Sequence, residues 1–224
     1  MRQQLLIDAD DTLWENNIYF ERATHAFLEF LNHSSLSHDE VRAVLEETER
    51  IQGYGTQNFI KSLQKTYTRL AEREVRNEDL EQIRTFGEQI GRHPLELLPG
   101  VQETLAYLAP RHELILLTKG NEEEQRLKIE NSGLDLYFQH TLVVPEKNVP
   151  TYQRLIDELG LDPQISWMIG NSPRSDINPA RAAGLNAVFI PHPHTWNLER
   201  EEVRSEGSGR LLQLKAFAEL REHF

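Results

Sequence analysis

The chain contains no cysteine, which excludes a disulfide framework and a thiolate metal site. No apolar stretch approaches the ~20 residues that a membrane-spanning helix requires. The N-terminus also lacks the basic segment and apolar run of a secretory leader. Positive charge is scarce, with 24 Lys and Arg against 36 Asp and Glu, a formal net charge of −12. That balance argues against binding to a nucleic-acid polymer or an anionic membrane and favours a small-molecule substrate. The expectation is a cytoplasmic protein with no membrane partner; nothing in the sequence bears on oligomeric state. A chain of 224 residues has room for one full domain and a smaller insertion.

What is present is organised around Leu5-Leu6-Ile7-Asp8-Ala9-Asp10-Asp11-Thr12-Leu13. A continuous apolar run reads as a strand buried on both faces, and this one ends in three carboxylates and a hydroxyl. Three like charges converge only if water or a divalent cation compensates them. Asp8 and Asp10 are two apart, so in an extended segment both side chains point to one side at the strand's carboxyl end. Ligands bind at that end in open α/β sheets.

From residue 17 to about 92 the strand-like runs vanish. Tyr19, Ala23, Phe27 and Leu31 form one stripe of a helix ending near Asn32. Ser37 and Glu40 have capping-box spacing and open a second helix with Val41, Val44 and Leu45 on its apolar face. Gly53-Tyr54-Gly55 breaks the pattern, a third helix carries Phe59, Leu63, Tyr67 and Leu70, and Asn77 is the predicted N-cap of a fourth. After His93-Pro94, strands and helices alternate. Helices are predicted over 101–108, 151–159 and 175–183, the last closed by Gly184, and another begins at Asn121. Strands are predicted over 113–118, 142–144, 167–169 and 187–190. Residues 201–209 read as a mobile charged segment, followed by an amphipathic helix bearing Leu211, Leu214, Phe217 and Leu220. The fold class is therefore α/β, a doubly wound parallel-sheet core with an inserted all-helical domain. The core is expected over 1–14 and 93–224, the insertion over 15–92.

Three further strand ends carry polar residues. The Thr118 hydroxyl, with the amides of Lys119 and Gly120, lies before a helix N-terminus, a place suited either to phosphate oxygens or to simple strand capping. Lys147 follows the third core strand and by itself reads as an ordinary surface lysine. The fourth ends in Gly170-Asn171-Ser172-Pro173-Arg174-Ser175-Asp176, where Asp176 is either a hard oxygen ligand or a helix cap.

Asp8-x-Asp10-x-Thr12, Thr118 after an apolar strand, Lys147, and Gly170-Asn171-Ser172-x-x-x-Asp176, in that order, resemble the four motifs of the haloacid dehalogenase superfamily. The resemblance covers 1–14 and 93–200 and implies that the helical insertion is a C1 cap. It further implies Mg²⁺-dependent hydrolysis of phosphate monoesters. Asp8 would be the nucleophile, Asp10 the acid and base, and Asp8, Asp10, Asp176 and Asn171 the metal ligands. Thr118, Lys119 and Lys147 would bind phosphate. Two positions depart from the common pattern: Asp11 stands where many members carry glycine, and Asn171 where many carry a second aspartate. Dehalogenating members lack the second aspartate of the first motif, so Asp10 favours phosphoryl chemistry.

The first motif is similar to that of a branch of bacterial nucleotidases, which implies a small phosphorylated metabolite such as a nucleoside monophosphate or sugar phosphate. In a C1-capped member the glycine-flanked Tyr54 loop would be the local candidate for substrate selection, the alternative being that Gly53 to Gly55 merely joins two helices. A phosphomutase of the same architecture and a non-catalytic binding protein are the alternatives. His192 and His194 are spaced as a metal pair, but with no third ligand nearby in sequence they read as a rigid loop.

Overall fold

The computed structural model describes residues 2–224. In chain order its elements are β1 (Gln4–Ile7), α1 (Asn17–Leu31), α2 (His38–Gln52), α3 (Thr56–Leu70), α4 (Asn77–Glu88), α5 (Val101–Leu108) and β2 (Glu113–Lys119). These are followed by α6 (Glu122–Ser132), β3 (His140–Val144), α7 (Val149–Leu159), β4 (Ser166–Gly170), α8 (Asn178–Ala182), β5 (Asn186–Phe189) and β6 (Leu211–Gln213). The chain divides into two compact units, Met1–Glu15 with Leu95–Phe224, and Asn16–Pro94.

In the first unit the six strands form a parallel sheet in the order β3-β2-β1-β4-β5-β6. Successive side chains of a strand point to opposite faces, and here both faces are covered. Leu5, Ile7, Leu114, Leu116, Trp167 and Ile169 pack with Val101, Leu105 and Leu108 of α5 and Ile129 of α6. Leu6, Ile115, Leu117 and Met168 pack instead with Tyr152 and Leu155 of α7 and Ala180 of α8. Two apolar faces explain why these strands read as unbroken hydrophobic runs rather than as alternation. The register sets Ile7 beside Leu116 on one side and Ile169 on the other, so the polar residues after β1, β2 and β4 emerge at one edge of the sheet.

The second unit is helical, with Phe27, Leu45, Phe59, Leu63, Tyr67 and Ile83 at its core. The Ser37 capping box forms as the sequence spacing requires. The fourth helix differs by one residue: Asn77 is already helical, and the Asp79 carboxylate accepts the Arg76 N–H and its guanidinium. Arg73 donates to the same carboxylate, so Asp79 fulfils the capping function from inside the helix. Gly87 brings α4 close to α3, since a Cβ there would stand 2.2 Å from Ile60 Cγ1. Gly87→Ala is accordingly expected to destabilise this unit by about 1–3 kcal/mol through overpacking, read as a lowered urea midpoint with an unchanged slope. A neutral result would show that Ile60 yields without cost.

Three expectations for the C-terminal third are corrected. The helix foreseen over 175–183 is split into a π-type turn, Pro173–Ile177, and the short α8, because Pro179 has no N–H to continue a ladder. The helix foreseen from Leu211 is instead the strand β6, which pairs with β5 and covers its edge; only Phe217–Glu222 turns, as a 3₁₀ segment. Residues 201–209 form no helix or strand but are tied down, since Arg181 donates to the carbonyls of Arg204 and Gly209, and Asn178 to that of Glu202.

Candidate functional site

Asp8 follows β1 directly and donates its N–H to Ile169 O of β4, which fixes its backbone to the sheet. The chain then turns sharply: Leu13 N–H reaches back to Ala9 O, and Asp11 sits at φ 60°, in the left-handed region. Lys147, only 3% exposed, is no surface lysine. Its ammonium donates to Asp8 Oδ1 and, at 2.8 Å, to Asp176 Oδ1. The other oxygens are held by Thr12 Oγ1 at 3.0 Å on Asp8 and by the Ser172 amide at 3.0 Å on Asp176. Gly170 permits this closeness, because a Cβ there would fall 2.2 Å from Asp176 Oδ2.

Two buried carboxylates share one ammonium, so negative charge is in excess. Burial and the neighbouring Asp176 charge push the Asp8 carboxyl up to about 7, against the pull of Lys147. Burial lowers the Lys147 ammonium, but Asp176 and Asp8 outweigh it and raise the net value. A pair of buried carboxylates under-neutralised by one charge, with hard oxygen donors only, fits a divalent cation such as Mg²⁺. Asn171 stands beside them: its Oδ1 accepts from Thr12 Oγ1 at 3.3 Å and its Nδ2 donates to Thr195 Oγ1 at 3.0 Å.

The remaining residues singled out in the sequence are placed differently. Thr118 is buried at the end of β2, two residues beyond the Ile7–Leu116 pair. The Lys119 ammonium is engaged by Glu199 (2.7 Å), Ser175 (2.7 Å) and Glu146 (3.1 Å). Glu199 also accepts from the hydroxyls of Ser172 and Ser175. Burial raises the Glu199 carboxyl, yet Lys119 and the two serines hold it below the usual range. Asp10 points to α6, where Lys128, Gln125 and Trp14 all donate to it. Burial pushes its carboxyl up, but the Lys128 charge and these hydrogen bonds bring the net value down. Tyr54 lies in the turn between α2 and α3 of the helical unit, where its carbonyl accepts from Asn58.

Lys128, Gln125, Trp14 and Glu199 were not foreseen from the sequence. Gln125 and Lys128 are three apart on one helix, a spacing that puts polar residues on a common face just after the second motif. Two carboxylates stand beside His192 in a cluster that does not include His194: Glu15 Oε2 lies 3.4 Å from its Nε2 and Asp11 Oδ1 lies 3.8 Å from its Nδ1.

A family model described as haloacid dehalogenase-like hydrolase matches residues 4–184. A haloacid dehalogenase-like family hydrolase from Xanthomonas campestris superposes with a TM-score of 0.84 at 30% identity, covering 99% of this chain and 94% of that one. A HAD-hydrolase of Bacillus subtilis bound to magnesium has a TM-score of 0.69 at 16% identity, covering 100% and 99%, and shares the fold. A phosphoserine phosphatase of Thermus thermophilus is 30% identical over 101 residues, 41% of each protein.

Proposed function

Since the chain belongs to the haloacid dehalogenase-like hydrolase family, we propose that it hydrolyses small-molecule phosphate monoesters through an aspartyl phosphate on Asp8. The observation that carries this is the buried Asp8–Lys147–Asp176 chain at the carboxyl edge of the sheet, with more negative charge than its lysine neutralises. Asp8 attacks phosphorus, forming an Asp8 Oδ–P bond as the P–O ester bond breaks. Asp10 acts as the acid only in its protonated form, which requires release from the donors that hold it as the anion; it then gives that proton to the departing oxygen and takes one from the water that cleaves the acyl phosphate. Lys147 and Thr118 bind the phosphoryl oxygens, over which charge spreads as the bond breaks. Lys119 supports the phosphate site through its backbone and ties the ends of β2 and β4 through Glu199 and Ser175. Thr12 keeps Asp8 and Asn171 in register. The carboxylates of Asp8 and Asp176, the Asp10 carbonyl and the Asn171 amide oxygen would hold Mg²⁺. The cation would offset the repulsion between nucleophile and phosphate. Tyr54, in the helical unit read as a C1 cap, is assigned to substrate selection.

Carbon–halogen hydrolysis is the competing chemistry of this fold, and Asp10 is the residue that argues against it. Turnover of p-nitrophenyl phosphate with Mg²⁺, lost in EDTA and restored by Mg²⁺, is the expected result. Chloride release from 2-chloropropionate without phosphatase activity would overturn the proposal.

A further inference from the structure

The Asp10 carboxylate accepts four hydrogen bonds. Oδ1 takes Trp14 Nε1 at 2.7 Å and Lys128 Nζ at 2.9 Å; Oδ2 takes Gln125 Nε2 at 2.8 Å and Lys128 Nζ at 3.0 Å. A carboxylate offers about four acceptor sites, so this one is saturated. While all four contacts stand, Asp10 has no lone pair on which to hold the proton that it must give the leaving oxygen, or to receive one from water. One donor has to withdraw.

The three donors differ in their freedom to do so. Trp14 is 1% exposed, and Gln125 is 5% exposed and also bonded to Lys119 O at 2.9 Å. Both are fixed by packing. Lys128 has 29% of its side chain exposed and a flexible four-carbon stem, so it is the donor able to leave. Its charge also sits where it bears on substrate choice. A group that protonates the leaving oxygen must come within about 3 Å of it, so a cation still bonded to that group would lie within roughly 6 Å of the ester oxygen.

We propose that Lys128 is a specificity-determining residue that exchanges Asp10 for an anionic group on the leaving half of the substrate. Favoured substrates are then phosphate monoesters whose alcohol bears a carboxylate or second phosphate two or three atoms from the ester oxygen. Binding such a substrate draws Lys128 away and frees a lone pair of Asp10 in the same movement. A neutral alcohol gives the ammonium nothing in exchange. The proposal rests on the phosphatase reading and adds the substrate class to it.

The test compares 2-carboxyethyl phosphate with propyl phosphate, on the wild type, Lys128→Met and Lys128→Arg, all with saturating Mg²⁺. The wild type is expected to prefer the carboxylate ester. Lys128→Met should lower the ratio of kcat/KM between the two esters by roughly 10- to 100-fold, the size of a charge-assisted hydrogen bond, mostly through a higher KM for the charged ester. Lys128→Arg should keep most of the preference. Equal wild-type rates on both esters overturn the proposal, as does a Met variant that loses the same factor on both, which would make Lys128 only a positioning residue for Asp10. If the wild type hydrolyses neither these esters nor p-nitrophenyl phosphate, the phosphatase reading itself falls.

Discussion

Asp8→Asn is expected to abolish turnover of every phosphate ester and to leave no acid-stable phosphoprotein, because a neutral amide cannot attack phosphorus and the other carboxylate on Lys147, Asp176, is assigned to the metal rather than to attack. The same substitution should stabilise the metal-free protein at neutral and alkaline pH. Asp8 is held up to about 7 by burial and by Asp176. An acid whose folded pKa is raised contributes stability that is complete below its ordinary value near 3.8 and is lost as pH rises through about 7. Asparagine removes that penalty at constant shape. In EDTA at pH 8 the variant should melt several degrees above the wild type, with the gap closing toward pH 4 or on adding Mg²⁺ to the wild type. Rapid-quench labelling and thermal melts check the two arms. A labelled Asp8→Asn protein would reassign the nucleophile, and a variant less stable than wild type at pH 8 in EDTA would refute the charge excess.

How far the sequence revealed this arrangement depends on the range of the interactions involved. The parallel core was legible because Leu5 to Ile7 and Leu114 to Leu117 are buried on both faces and therefore apolar without interruption. β6 was not legible: its three residues are partly exposed, and the spacing from Leu211 to Leu220 imitates a helix. Asp8, Lys147 and Asp176 each follow a strand or precede a helix at a recognisable motif, so their convergence follows once the strands are laid side by side. Their supporting partners carry no such mark. Lys128 reaches Asp10 across 118 residues and Glu199 reaches Lys119 across 80, and only the folded sheet decides which polar side chains of a helix or loop face those ends. His192 illustrates the same limit, since the carboxylates beside it come from the loop after β1.

Lys147→Met should have the other large effect, on stability and activity together. The Lys147 side chain is 1% exposed, and its ammonium contacts both Asp8 and Asp176. Removing one member of a buried charge network leaves uncompensated carboxylates, at a cost of roughly 3–5 kcal/mol. Methionine fills much the same volume, so little of that loss comes from a cavity. The charge origin has a signature. Lys147 opposes the upward shift of the Asp8 carboxyl, so without it the carboxyl rises further and the penalty grows with pH. Urea titrations should therefore show a large deficit at pH 8 in EDTA, a smaller one at pH 5 where Asp8 is protonated, and partial recovery at pH 8 with Mg²⁺, which supplies the missing positive charge. Activity at saturating Mg²⁺ should still fall by about 10²–10³ in kcat, the usual loss when one donor to a transferring group's developing charge is removed. A stability deficit independent of both pH and Mg²⁺ would mean that Lys147 matters through packing, and retention of wild-type kcat would remove it from the phosphoryl site.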